Sequence, residues 1–333
     1  MPTTTRWGIL STANIARAAV IPAIQAAANN EVVAVASRDA ERAENFAGKL
    51  GIPRAYGSYE ALLDDADIDA VYIALPNSLH LAWAVNAAAA GKHILCEKPL
   101  ALNAAQCREM AAAAEESGVL LMEAFMYRFH PQITTALDLI RDGAVGKLHH
   151  MHAAFTFRVT NPANIRLQAD LGGGSLMDVG CYCVNALRTF AGSEPIEVQA
   201  TATWHANGVD ERMVGLLRFA NGLTGQFDSA LNLARRETFL AAGTEATLEL
   251  PRTYLPGTGD TTVRVRKSYA DAHEQTIAGV DEYQLMVEHF ADCVRTGQPP
   301  RYGPEEAACN MAVIEALYRS AREDGRPVAV PAC

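Results

Sequence analysis

The sequence predicts an α/β chain: a doubly wound parallel sheet, then an α+β part built on a large open, mainly antiparallel sheet. Three observations carry this. Through the first third, short apolar runs alternate with helix-like segments, which implies βαβ units with right-handed crossovers. After about Glu123, strand-like segments follow one another directly. Asn207-Gly208 and Asn221-Gly222 supply hairpin turns between them, read as type I′ because that turn needs positive φ at both central residues. At 333 residues the chain has room for about two domains of roughly 100–200 residues, placed at 1–122 and 123–333.

Taken in order, Trp7 to Leu10 is a candidate strand, with helical sequence from about Asn14 that Pro22 interrupts or restarts. Val32 to Ala36 is a near-continuous apolar run, as a parallel strand buried on both faces requires. Helix over 40–50, strand over 70–75, helix over 78–90, strand over 93–96, helix over 104–117 and strand over 119–122 complete the alternation. Strand-like segments follow at 148–159, 196–206, 213–219 and 223–230. Helix-like segments at 282–295 and 304–323 close the chain.

Composition narrows the function. Half of the residues are hydrophobic and a fifth charged, ordinary for a globular chain and against extensive disorder. The net charge of −10 disfavours nucleic acid or an anionic membrane surface as partner. A phosphate-bearing ligand must then be held by a local arrangement. The seven cysteines are irregularly spaced, without a Cys-x-x-Cys pair, which predicts reduced thiols in a cytoplasmic protein and no zinc site. The opening from Met1 to Trp7 lacks the pattern of a secretory signal, and no apolar run approaches the ~20 residues of a membrane helix.

The first strand-to-helix turn reads Gly8-Ile9-Leu10-Ser11-Thr12-Ala13-Asn14-Ile15-Ala16. In a dinucleotide fold this turn sets backbone N–H groups and a helix N-terminus against a pyrophosphate. Ser11, Ala13 and Ala16 stand where Gly-x-Gly-x-x-Gly/Ala would fall; all are small, but a plain tight βα turn would look the same. The end of the second strand says more. Ser37 occupies the place of the carboxylate that accepts from the ribose 2′-hydroxyl in NAD enzymes, removing a charge that would repel a 2′-phosphate. Arg38 offers a planar donor fork suited to phosphate, and Arg42 adds charge one turn along the next helix. The alternative is two solvated arginines, with Asp39 capping that helix. With the βαβ frame around it, the pattern favours NADP(H) over NAD.

Two further segments end strands, where open α/β sheets bind ligands. One is Leu75-Pro76-Asn77-Ser78-Leu79-His80. The other is Glu97-Lys98-Pro99, where Glu97 offsets the cost of burying an ammonium. On their own residues, a loop lysine at the surface is the plainer reading. Further on, Gly172-Gly173-Gly174 runs into a helix bearing Asp178 and Tyr182 four apart, hence on one face. A carboxylate beside a phenol suits proton transfer; a first-turn acid beside a half-buried aromatic is the bland alternative. His149, His150 and His152 alternate on a strand with no acid among them, and read as sheet surface rather than a metal site.

Gly8 to Ala16, Pro76 to His80, Cys96 to Leu100, Glu123 to Pro131 and Gly172 to Tyr182, in this order, resemble the glucose-fructose oxidoreductase / inositol dehydrogenase family over essentially the whole chain. The nearest branch holds NADP-dependent D-xylose dehydrogenases and dimeric dihydrodiol dehydrogenases. The resemblance implies a Rossmann-type first domain and a second domain that binds substrate and forms the interface of a homodimer or homotetramer through its open sheet. It implies that Lys98 is catalytic, that the Lys98–Pro99 peptide is cis, and that Asp178 lies beside the substrate. Many relatives have histidine where this chain has Tyr182; the tyrosine agrees with the xylose and dihydrodiol branch. Phe157, Arg158, Arg166 and Tyr283 become candidates for the substrate pocket, with structural salt bridges the alternative for either arginine.

The implied chemistry is hydride transfer between nicotinamide and a sugar or related polyhydroxylated substrate. Tyr182 takes the hydroxyl proton, and a neighbouring Lys98 ammonium lowers a phenol pKa of about 10 that is otherwise too high for a base. Asp178 orients the hydroxyl. Which of Lys98 and Tyr182 carries the proton stays open. An aldose 1-dehydrogenase of the D-xylose type is the first expectation. A trans-dihydrodiol dehydrogenase, a keto-sugar reductase and a non-catalytic cofactor-binding regulator are the alternatives.

Overall fold

The computed structural model describes residues 4–268 and 270–333; Met1 to Thr3, part of the reading on targeting, lie outside them. The first sheet has six parallel strands: β1 (Thr5–Leu10), β2 (Asn30–Ala36), β3 (Arg54–Tyr56), β4 (Ala70–Ile73), β5 (His93–Cys96) and β6 (Leu121–Glu123). Their order, β3-β2-β1-β4-β5-β6, is that of a doubly wound dinucleotide fold. The order reverses between β1 and β4, so the segments after those strands frame the crevice where such sheets bind ligands. Intervening helices are α1 (Ile21–Ala26), α2 (Ala40–Leu50), α3 (Tyr59–Leu63), α4 (His80–Ala89) and α5 (Ala104–Glu116). As a two-sided core demands, β1, β2 and β4 are buried almost throughout.

Two compact units result: 1–126 with 281–308, and 127–280 with 309–333. The single boundary at 122/123 does not contain this return. Its physical basis is visible in α8 (Glu282–Thr296), whose Phe290 packs against Trp7 of β1 with ring centroids 5.6 Å apart, both fully buried. Burying two such rings is worth several kcal/mol, about 1.5–3 each. Asn29 adds donors to the Glu288 carbonyl and to Asp292.

The second unit carries α6 (Pro131–Arg141), β7 (Leu148–Arg158), α7 (Cys181–Ala191), β8 (Pro195–Trp204), β9 (Asp210–Phe219) and β10 (Thr224–Ala230). It continues with β11 (Asn232–Gly243), β12 (Thr247–Leu250), β13 (Thr261–Arg266) and β14 (Ala272–Ile277). The last helix, α9 (Pro304–Arg322), begins in the first unit and ends in the second, before β15 (Val328–Ala329). Nine strands lie in the order β14-β13-β12-β11-β7-β10-β9-β8-β15, antiparallel except for β7 with β10. Along β9, buried and exposed residues alternate strictly from Met213 to Phe219, so one face packs inward and the other stands open.

Four expectations need correction. Pro22 does not interrupt the helical path, which is continuous over 14–26, but it does stand in the first turn of α1, after a π-turn at Ala16–Val20 whose wider path accommodates the ring. The Asn-Gly turns are not type I′, because only Gly208 and Gly222 have positive φ (84° each). Paired bonds such as Phe219 N to the Leu223 carbonyl and Gly222 N to the Phe219 carbonyl mark three-residue loops with a glycine bulge. Among the cysteines, Cys309 and Cys333 form a disulfide, and the other five are buried and not disulfide-bonded. Finally, β3, β11 to β15, α3 and α6 were not expected; the strands among them are short or polar on one face, and sheet pairing decides those.

Candidate functional site

In the first unit, the turn after β1 keeps the conformation of a glycine turn without its glycine. Ser11 has φ of 114°, a region L-residues rarely adopt, and its N–H donates to the Ala36 carbonyl at 3.1 Å. The helix then starts at 14, so its first N–H groups lack intrahelical acceptors. Ile15 is half-buried behind them. Thr12, Ala13 and Asn14 line an open cavity of about 820 Å³, with Arg17, Arg42 and Lys49 among its other walls. Helix-end donors beside three cations, which outnumber the carboxylates of Asp39 and Glu41 on the same walls, fit a phosphate-bearing dinucleotide.

Ser37 is buried, its N–H on the Tyr56 carbonyl and its Oγ accepting from Asp39 N at 3.3 Å. Asp39 caps α2, accepting from Arg42 N at 3.1 Å, so the capping alternative is realised while Arg42 still faces the cavity. Arg38 is exposed and does not line it. It lies close enough to Tyr59 that its charge, with that of Arg42, opposes the upward push of burial on that phenol.

After β4, Leu75 is buried and Pro76 leads into a 3₁₀ turn over Asn77–Leu79. His80, expected at the cofactor, is fully buried instead. Its Nδ1 lies 3.0 Å from the Pro99 carbonyl and its Nε2 2.9 Å from the Leu75 carbonyl. The ring sits between the end of β4 and the turn after β5, and as a neutral imidazole it donates to one of the two carbonyls. Burial pushes its pKa down.

The Lys98–Pro99 peptide is cis, as the resemblance implied, and Lys98 is half-buried. Glu97 accepts from Tyr72 Oη at 2.5 Å and from Lys98 N at 3.2 Å. Burial and then Glu97 hold the Tyr72 phenol well above its usual range, and Tyr283 of α8 adds to this. Tyr283 thus returns to the first unit beside Tyr72. Glu123, unremarked as a functional group in the sequence, anchors the same turn by accepting from Leu100 N at 2.7 Å.

In the second unit, the glycine loop packs on the segment holding Arg166. Gly173 N donates to the Gln168 carbonyl and Gly174 N to the Arg166 carbonyl. A Cβ on Gly173 would come within 2.4 Å of the Arg166 carbonyl oxygen, so glycine is required. Arg166 Nε donates to Asp178 Oδ2 at 2.6 Å, and its guanidinium lies over the Phe157 ring at 5.7 Å. Three predicted residues therefore meet, while Arg158 is exposed at the end of β7.

Asp178 sits in a π-turn, Leu176–Gly180, that leads directly into α7. Tyr182 is 5% exposed and ringed by Tyr127, Phe155 and Tyr254, with centroids 5.4–5.8 Å away. Of these, Tyr127 stands within the Glu123 to Pro131 motif, whereas Phe155 and Tyr254 carried no motif signal in the sequence. His150 contacts Thr224 and His152 contacts Asp228 on one sheet face. Among the described residues no group of His, Cys, Asp or Glu is arranged to hold a metal ion, and no helix is long and apolar enough to cross a membrane.

Comparison with known proteins matches residues 5–125 to an oxidoreductase family with a NAD-binding Rossmann fold, and residues 133–249 to the GFO/IDH/MocA C-terminal domain. The chain is 43% identical to a D-xylose 1-dehydrogenase (NADP(+)) of Haloferax volcanii, covering 95% of this chain and 97% of the relative. It is 38% identical to the trans-1,2-dihydrobenzene-1,2-diol dehydrogenase of Xenopus laevis, over 74% of this chain and 75% of that one. Its fold matches a 3-ketoreductase of Actinomadura kijaniata, solved with NADP and TDP-benzene, at a TM-score of 0.91 and 32% identity, over 95% and 98% of the two chains. With both halves matched and near-complete coverage by relatives, the chain belongs to the GFO/IDH/MocA family of oxidoreductases.

Proposed function

We propose that the protein is an NADP(H)-dependent aldose 1-dehydrogenase of the D-xylose type. The observation that carries this reading is the 43% identity, along nearly all of both chains, to a D-xylose 1-dehydrogenase that uses NADP. The cavity at Thr12 to Asn14 with Arg42 supports NADP, as do the exposed Arg38 and the absence of a carboxylate at Ser37. Bound NADP(H) supplies or accepts the hydride.

The chain's own residues handle the proton and the substrate. In oxidation, the anomeric C1–H leaves as hydride and the O1–H proton goes to the protein, giving a lactone and NADPH. Tyr182 is assigned that proton. An ordinary phenol, with a pKa of about 10, is a poor base at neutral pH, so the reading needs a cation, and Lys98 is assigned that part. Asp178 orients the hydroxyl, with Arg166 and Phe157 shaping its surroundings; Arg158 and Tyr283 are proposed further substrate contacts. The 3-ketoreductase has also been solved with a lysine replaced by alanine or by glutamate, and with a tyrosine replaced by phenylalanine, the residue types assigned here.

A homodimer or homotetramer through the open sheet belongs to the same reading, supported by Val214 and Leu216 standing out on one face of β9. So does a cytoplasmic location, supported by the five cysteines outside any disulfide, the Cys309–Cys333 pair being the exception.

The test is formation of NADPH from NADP with D-xylose, D-glucose and a trans-dihydrodiol, alongside NADPH consumption with keto-sugars. Turnover with D-xylose well above the others supports the assignment. Preference for the dihydrodiol or a keto-sugar replaces it, and cofactor binding without turnover of any would indicate a regulator.

A further inference from the structure

The helical turn that carries Asp178 begins without a cap of its own. Ser175 stands at the N-cap and makes no side-chain capping bond. The acceptor comes from a distant strand instead. Asp210, the first residue of β9, accepts through Oδ2 from Leu176 N at 2.7 Å and from Ser175 Oγ at 2.6 Å. Its Oδ1 accepts from Tyr318 Oη of α9 at 2.6 Å. The carboxyl is fully buried.

The last glycine of the loop has its reason here. Gly174 has φ of 121°, and a Cβ on it would lie 2.2 Å from Asp210 Oδ1. The residue is small so that the carboxyl can reach the helix end. Ser229 completes the cluster, its Oγ 3.0 Å from that of Ser175.

A buried carboxyl is costly unless its oxygens are satisfied, and three donors supply that here. A negative group at a helix N-terminus also gains from the helix dipole. Tyr318 stays a donor, because burial and then the nearby Asp210 hold its phenol well above the usual range. The result is one anchor joining β9, α9 and the first turn of the helix bearing Asp178 and Tyr182.

We propose that Asp210 is a positioning residue for the reaction, fixing the depth and rotation of the Leu176–Tyr182 segment and so the placement of Asp178 and Tyr182. It rests on the roles given to those two residues above. A cap that served only the fold would change stability and leave the chemistry of folded molecules alone. A positioning role changes the chemical step.

The experiment compares wild type with Asp210→Asn, Tyr318→Phe and Tyr182→Phe, using NADP and D-xylose. Expected for the first two are native circular dichroism and unchanged NADPH affinity. They should also show kcat about tenfold lower, a smaller change in KM and a displaced pH profile of kcat. Wild-type kcat and pH profile in folded Asp210→Asn, with Tyr182→Phe impaired, overturn the proposal. Normal turnover in Tyr182→Phe strikes instead at the functional reading on which it rests. If Asp210→Asn does not fold, Tyr318→Phe decides: the same kcat-selective loss supports the anchor, and wild-type behaviour overturns it.

Discussion

Arg166 and Asp178 form an ion pair, Nε to Oδ2 at 2.6 Å, with the arginine's guanidinium also over Phe157. The side chains are 38% and 13% exposed. A pair this open contributes little to stability, at most about 1 kcal/mol after screening by solvent. Its effect belongs to the orientation of the carboxylate. Replacing Arg166 with Met should leave the melting temperature nearly unchanged while kcat/KM for the sugar falls about tenfold. A large drop in melting temperature with unchanged kinetics would make the pair structural.

Arg38 is exposed at the end of β2, and Arg42 faces the cavity at the first βα turn. Loss of a charge-assisted hydrogen bond to phosphate costs on the order of tenfold in affinity. Arg38→Ala and Arg42→Ala are each expected to weaken NADPH by about that factor and to leave NADH unaffected. Fluorescence titration with both cofactors checks this, and equal weakening of both would remove the 2′-phosphate from the account.

Ser11 holds φ of 114°. Strain of this kind costs about 1–3 kcal/mol, and glycine gives back about 0.5–1 through its looser unfolded state. Ser11→Gly should therefore stabilise the protein by roughly 1 kcal/mol, with NADPH affinity retained because the backbone path is unchanged. A lower denaturation midpoint for this variant would contradict the strain.

Burial pushes the pKa values of His80, His93, His130 and His289 below the ordinary 6.5. Each folded imidazole binds its proton less readily than its unfolded counterpart. Stability is therefore complete above about pH 6.5 and is lost as pH falls through that value toward the folded pKa values. Thermal unfolding followed from neutral to mildly acidic pH should show this decline. A flat profile would mean that these rings are not held neutral.

The first sheet was legible because its signals are local. Val32 to Ala36 reads as a doubly buried strand whatever lies around it, and Asp39 before an amphipathic run announces a capped helix, which the structure contains at Ala40–Leu50. The strands of 232–277 were not legible, since a one-sided strand such as β11 alternates weakly and depends on β7 and β12 for its hydrogen bonds. His80 shows the same limit at the site. Its motif marked a strand end correctly, yet two carbonyls from separate turns took the ring inward.

What the sequence determined by itself was the alternation of strands and helices, the family likeness, and the motif residues Lys98, Asp178 and Tyr182, because periodicity and short motifs are properties of neighbours along the chain. What only the tertiary structure decided was the return of Asp281–Ala308 to the first unit, the Cys309–Cys333 bond, the Arg166–Asp178 pair and the Asp210 anchor. Each joins groups from 12 to more than 250 residues apart. Such contacts follow from which surfaces must be buried and which polar groups then need partners, and only the folded chain answers that.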